Sequence, residues 1–122
     1  MFHKIVVATL LVLPFASAHA MTVTEFLGKA DALKAKGALA LFSGDLKLLK
    51  SEVTGAAGQL RAERLAAVKG GRRPAYCPPE GGGQMDSDQI VQIMRAVPAP
   101  DRSRLQVKDA LRAHFSRTYP CR

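Results

Sequence analysis

The chain has 122 residues, two cysteines, no tryptophan, and 18 Lys and Arg against 10 Asp and Glu, a formal net charge of +8. That length makes one modest hydrophobic core rather than two domains, and a chain of this size gains from a covalent staple. Two distant cysteines and three histidines exclude the paired ligand spacing of a zinc site, and an apolar set dominated by Ala and Leu, with few aromatics, favours helices over a sheet.

Residues 1–20 read as a secretory signal peptide, with Lys4 in a short positive start, an apolar run from Ile5 to Phe15, and Ala18-His19-Ala20 as a small-x-small cleavage site. As a helix the run extends roughly 16 Å, short of the ~30 Å hydrocarbon core of a membrane. The expected mature chain begins at Met21, is exported to the periplasm and has no transmembrane segment. It keeps 17 Lys and Arg against 10 Asp and Glu, since Lys4 is the only charged residue removed, and so carries +7. That excess favours anionic partners such as acidic protein faces, phospholipid head groups or wall polymers, and nucleic acid is not expected outside the cytoplasm.

The predicted elements are four main helices. Thr22-Val23-Thr24-Glu25 has capping-box spacing and opens the first, in which Val23, Phe26, Leu27, Ala30 and Leu33 form one apolar stripe. Gly37 is expected to stop it in a left-handed conformation, behind Lys34 and Lys36 at the negative end of the helix dipole. Residues 38–42 form a short apolar turn or helix, and Ser43-Gly44-Asp45 makes a new cap. The second helix covers residues 45–69 with Leu46, Leu49, Val53, Ala56, Leu60 and Ala67 inward, Glu63 being a polar exception on that line. Gly55 and Gly58 leave one turn with little side-chain bulk, which suits either a tight crossing against the C-terminal helices or a contact with a partner. Lys47, Lys50, Arg61, Arg64 and Lys69 give this helix a solvated basic face.

Gly70-Gly71 ends the helix, and a connection rich in Gly, Pro and Arg follows to Gln84. Loops of this length without secondary structure are uncommon in compact domains and are often functional. Asp86 or Ser87 caps the third helix, whose inner residues are Ile90, Ile93, Met94 and Val97. Pro98-Ala99-Pro100 ends it, and Asp101 or Ser103 starts the last helix, with Leu105, Val107, Ala110, Leu111 and Phe115 inward. Cys77 and Cys121 are expected to pair, because an exposed free thiol near a chain end is a liability in an oxidising compartment. Catalytic groups are scarce: His114 is the one histidine after residue 20, and Asp86 and Asp88 are better used at a helix N-terminus than as an acid-base pair. The expectation is a binding protein, not an enzyme, with no cofactor and no metal.

The sequence Val53-Thr54-Gly55-Ala56-Ala57-Gly58, the Cys77-Pro78-Pro79-Glu80-Gly81 turn, two short helices and the terminal Tyr119-Pro120-Cys121 together resemble the Rap and Tai immunity proteins. That family protects bacteria against peptidoglycan amidase effectors of type VI secretion. The likeness spans most of residues 21–122, and its distinctive part is residues 77–122. The chain lacks the N-terminal cysteine pair of many members and is similar to a divergent one. The resemblance implies an all-helical periplasmic inhibitor, often dimeric, that occludes an amidase cleft with a loop. The loop residues expected at the partner are Arg72, Arg73, Tyr76, Glu80, Gly81 and Gly82, with Gly55 and Gly58 as a dimer seam. Two other classes fit the same features: a small acid-stress holdase chaperone, and a basic protein associated with anionic lipid or wall polymer.

Overall fold

The computed structural model describes residues 20–81 and 83–122. The predicted signal peptide, apart from Ala20, and the loop residue Gly82 lie outside the described residues. Among the described residues the fold is all-α, with four α-helices: α1 (Val23–Lys36), α2 (Gly44–Lys69), α3 (Ser87–Arg95) and α4 (Val107–Thr118). Two 3-10 turns, Gly37–Phe42 and Ala99–Asp101, join them. The core gathers one face of every helix: Val23, Leu60, Met94, Val107 and Leu111 are essentially inaccessible to solvent.

Local chemistry sets the helix starts. Thr22 Oγ1 accepts the Glu25 N–H at 3.1 Å, and Ser43 Oγ accepts the Asp45 N–H at 3.2 Å. Asp86, rather than Ser87, caps α3 in a reciprocal box with Gln89 at 2.8 and 2.9 Å. Gly37 ends α1 at φ 59° but ψ −131°, so the chain leaves through a region open mainly to glycine and not through the expected left-handed helical turn. The stripe of α1 is buried at Val23, Phe26, Leu27 and Leu33. Along α2, Leu49, Ala56 and Leu60 are buried, while Leu46 and Val53 are only partly so.

The last helix starts later than either expected position. Asp101 belongs to a 3-10 turn and Ser103 lies in an irregular stretch; α4 begins at Val107, with the Gln106 N–H donating to Asp109 Oδ2 at 2.9 Å. Residues 102–106 are withheld from the helix because they serve the start of α1. The first N–H groups of a helix have no partner within it; here those of Val23 and Thr24 donate to the carbonyls of Leu105 and Arg102 at 2.9 and 3.0 Å. The Val107 N–H donates to the Met21 carbonyl at 3.0 Å, so Thr22 and Gln106 form an isolated antiparallel bridge. The Arg102 side chain reaches the other way, donating to the Val97 and Arg95 carbonyls at 2.9 and 2.8 Å, where α3 has run out of partners. One segment thereby closes the N-terminus of α1 and the C-terminus of α3.

α1 and α2 make an antiparallel hairpin: the Met21 N–H meets Glu52 Oε1 at 3.0 Å near its open end, and Lys29 Nζ meets Asp45 Oδ1 at 3.4 Å toward its turn. α4 packs across α2, and α3 closes the remaining side against α1 and α4. No described helix is long and apolar enough to cross a membrane.

Candidate functional site

The connection between α2 and α3 is the longest irregular stretch in the described chain, and it is tied down along its first half. Cys77 and Cys121 form a disulfide with Cα atoms 4.9 Å apart. The Cys77 N–H donates to the Tyr119 carbonyl at 2.8 Å, Ser116 Oγ donates to the Ala75 carbonyl at 3.1 Å, and the Arg73 guanidinium donates to the Cys121 carbonyl. Further on, Tyr119 holds its hydroxyl against Gly83 so closely that a Cβ there would lie 2.6 Å from the oxygen. Gly81 turns the chain at φ 83°, a conformation that residues with a Cβ rarely adopt. Between these anchors Pro79, Glu80 and Gly81 are exposed.

The structure separates the sequence-predicted contact residues into two groups. Arg72, Glu80 and Gly81 are exposed, and no described hydrogen bond engages the side chain of Arg72 or Glu80. Arg73 is spent on the Cys121 carbonyl and acts as a clamp. Tyr76 is 6% exposed: its ring sits 5.2 Å from that of Phe115, with the Arg64 guanidinium 5.8 Å from its centroid. It is the apolar foot of the loop, not a surface contact, because a Tyr next to the disulfide is drawn onto the α2–α4 seam. Gly82 lies outside the described residues.

Gly55 and Gly58 face open space: a Cβ on either would meet nothing within 4 Å. The tight intramolecular crossing considered for them is therefore absent, and it is Ala56 between them that is buried. Glu63 is not a polar intrusion into the core. It is exposed and accepts from Lys108 and from Arg112, the latter at 3.2 Å, tying α2 to α4 on the surface. Arg64 departs from the expected solvated basic face: its Nε is buried and unpaired where the guanidinium lies against Tyr76.

Two titrations are displaced. The hydrogen bond from Lys108, with that from Arg112 and the charges of both, holds the Glu63 carboxyl below its ordinary 4.5 against a smaller opposing effect of desolvation. Desolvation, and then the neighbouring Arg117 charge, hold His114 below 6.5. A histidine with a lowered folded pKa resists protonation that the unfolded chain accepts, so stability falls as pH drops below 6.5. Glu63 contributes stability above 4.5 that is lost as pH falls through its lower folded value. Both act in the same sense, so the melting temperature is expected to be level with respect to these groups above pH 7 and to decline on acidification. Glu63→Gln should flatten the decline below pH 4.5 and leave the branch near pH 6 unchanged; an unaltered acid branch in calorimetry would rule out the Glu63 pairing in solution.

Other concavities hold little chemistry. An apolar groove of about 600 Å³ between α1, α2 and α3 is lined by residues such as Phe26, Leu33, Leu46, Val53 and Ile90, and its one carboxylate, Asp86, is occupied in capping α3. A cleft of about 150 Å³ beside Tyr76 carries Glu63, Arg64 and Arg112. Among the described residues no group of three or more His, Cys, Asp or Glu is placed to hold a metal ion. No family model, no curated protein and no solved structure matches the chain.

Proposed function

We propose that the protein is an exported inhibitor, an immunity protein that blocks a peptidoglycan amidase by inserting the loop of residues 72–84 into its cleft. The observation that carries this reading is the preorganised loop: an exposed Pro79-Glu80-Gly81 tip held by a disulfide, three hydrogen bonds and the Tyr76 foot. A loop already held along its first half loses less conformational freedom on binding, so more of its contact energy appears as affinity. The net positive charge speeds encounter with an acidic partner surface more than it sets affinity. Export fits the predicted signal peptide and the disulfide, which persists in oxidising compartments. The protein acts without catalysis, cofactor or metal, and its two exposed glycines, Gly55 and Gly58, are the dimer seam if it pairs with itself.

The test is affinity capture from periplasmic extract, comparing the wild type with a variant carrying Arg72→Glu and Glu80→Lys. These two positions leave Arg73 and the core untouched, so the fold is preserved. The wild type should retain a peptidoglycan amidase and the variant should lose at least ten-fold of it. Equal capture by both would remove the loop as the contact, and capture of no amidase would reject the inhibitor reading.

A further inference from the structure

The hairpin of α1 and α2 ends in the 3-10 turn Gly37–Phe42, and this turn is the most exposed apolar part of the described chain. Leu39, Leu41 and Phe42 are 72, 75 and 89% accessible, while only Ala40 is packed against the core. A chain of this size seldom leaves three large apolar side chains together at one tip without a use for them. On either side in sequence stand Lys34 and Lys36 at the end of α1, and Lys47 and Lys50 in the first turns of α2, all four exposed. The one acid between them, Asp45, is paired with Lys29. The local charge is therefore strongly positive around an apolar knob.

We infer that this tip docks on the surface of an anionic phospholipid bilayer, with Leu39, Leu41 and Phe42 entering the head-group boundary and the four lysines contacting lipid phosphates. Apolar insertion framed by lysines is the pattern of interfacial membrane binding, in which buried apolar area and attraction to anionic lipid act together. Long lysine stems lie along the apolar surface while their ammonium groups stay at the phosphate level. The combination selects lipid over a second copy of this chain, since two such tips face to face would oppose eight lysines across one small contact. The tip is also remote from the loop: Asp45 and Glu63, beside the tip and beside Tyr76, are separated by roughly 27 Å along α2. A bilayer held at one end leaves the loop's first half free, so this inference does not rest on the inhibitory reading.

Because the chain has no tryptophan, Phe42→Trp supplies a single reporter at the most exposed side chain of the knob. With vesicles of phosphatidylglycerol and phosphatidylcholine its emission should shift to the blue and saturate. Pure phosphatidylcholine should bind far less, and raising salt to 0.5 M should weaken the anionic binding. Each lysine near an anionic surface is worth roughly a factor of five in partitioning, so Lys34→Glu with Lys36→Glu should reduce co-sedimentation of the otherwise unaltered protein by more than 25-fold. Leu39→Ser, Leu41→Ser and Phe42→Ser together should abolish it while circular dichroism stays unchanged. Absence of a blue shift and of co-sedimentation on anionic vesicles would overturn the proposal. So would sedimentation of the wild type as a dimer that the triple serine variant converts to a monomer, which would assign the tip to self-association.

Discussion

Replacing both Cys77 and Cys121 by serine is expected to cost about 4 kcal/mol, the stabilisation associated with closing a loop of about 45 residues, whatever its division between entropy and solvation. For a domain near 100 residues that is a large share of the total, and it corresponds to a fall in melting temperature of roughly 15–30 °C. The location makes the loss local as well as global. Without the bond, the ties left between the loop and the tail include the Cys77 N–H to Tyr119 carbonyl contact, the Arg73 clamp on the Cys121 carbonyl and the close approach of the Tyr119 hydroxyl to Gly83. Amide hydrogen exchange should therefore accelerate first at residues 75–81 and 118–122, ahead of α1 and α3. A double serine variant that melts within about 3 °C of the wild type, with those amides still protected, would show that the disulfide is incidental.

Leu111→Ala is the second large effect. Leu111 is fully buried on α4, in the core shared with Leu60 of α2 and Met94 of α3, so truncation leaves a void bounded by at least two other helices. Large-to-small changes at such sites cost about 2–5 kcal/mol, the upper part applying where neighbours cannot collapse into the space. The disulfide and Tyr76 fix the end of α4 and the α2–α4 seam, which restricts collapse and points to the upper half of that range. Val107→Ala, at an equally buried but smaller side chain, should cost less. Denaturant midpoints, with slopes unchanged, would measure both; a Leu111→Ala cost below 1 kcal/mol would mean that the core is looser than its burial indicates.

How much of this was legible in the sequence depends on the range of the interaction that decides each feature. Helix starts rest on contacts two or three residues long, so Thr22 and Ser43 were readable as caps and the third helix's cap was narrowed to Asp86 or Ser87. The cysteine pair was readable because only one pairing exists. The late start of α4 was not, since it depends on backbone groups of Leu105 and Arg102 being claimed by Val23 and Thr24 some eighty residues earlier. Tyr76 was expected at the partner because it lies in a connection rich in Arg, Pro and Gly; its burial comes from Phe115 and Arg64, which only the folded chain brings to it. Gly55 and Gly58 suit either a tight crossing or a partner contact in the sequence; the fold turns both glycines to open space and Ala56 inward, which removes the crossing alone. Glu63 broke an apolar stripe in the sequence, and the fold resolves it by placing Lys108 and Arg112 opposite. The exposed tip at Leu39, Leu41 and Phe42 did carry a signal, an apolar run without helical period between pairs of lysines, although its exposure required the turn geometry.

The most direct measurement is a titration of peptidoglycan hydrolysis by the captured amidase with the oxidised protein. Stoichiometric inhibition is expected from the wild type, and its loss from the variant with Arg72→Glu and Glu80→Lys at unchanged melting temperature. Hydrolysis that continues undiminished at saturating protein would contradict the inhibitory role of the loop.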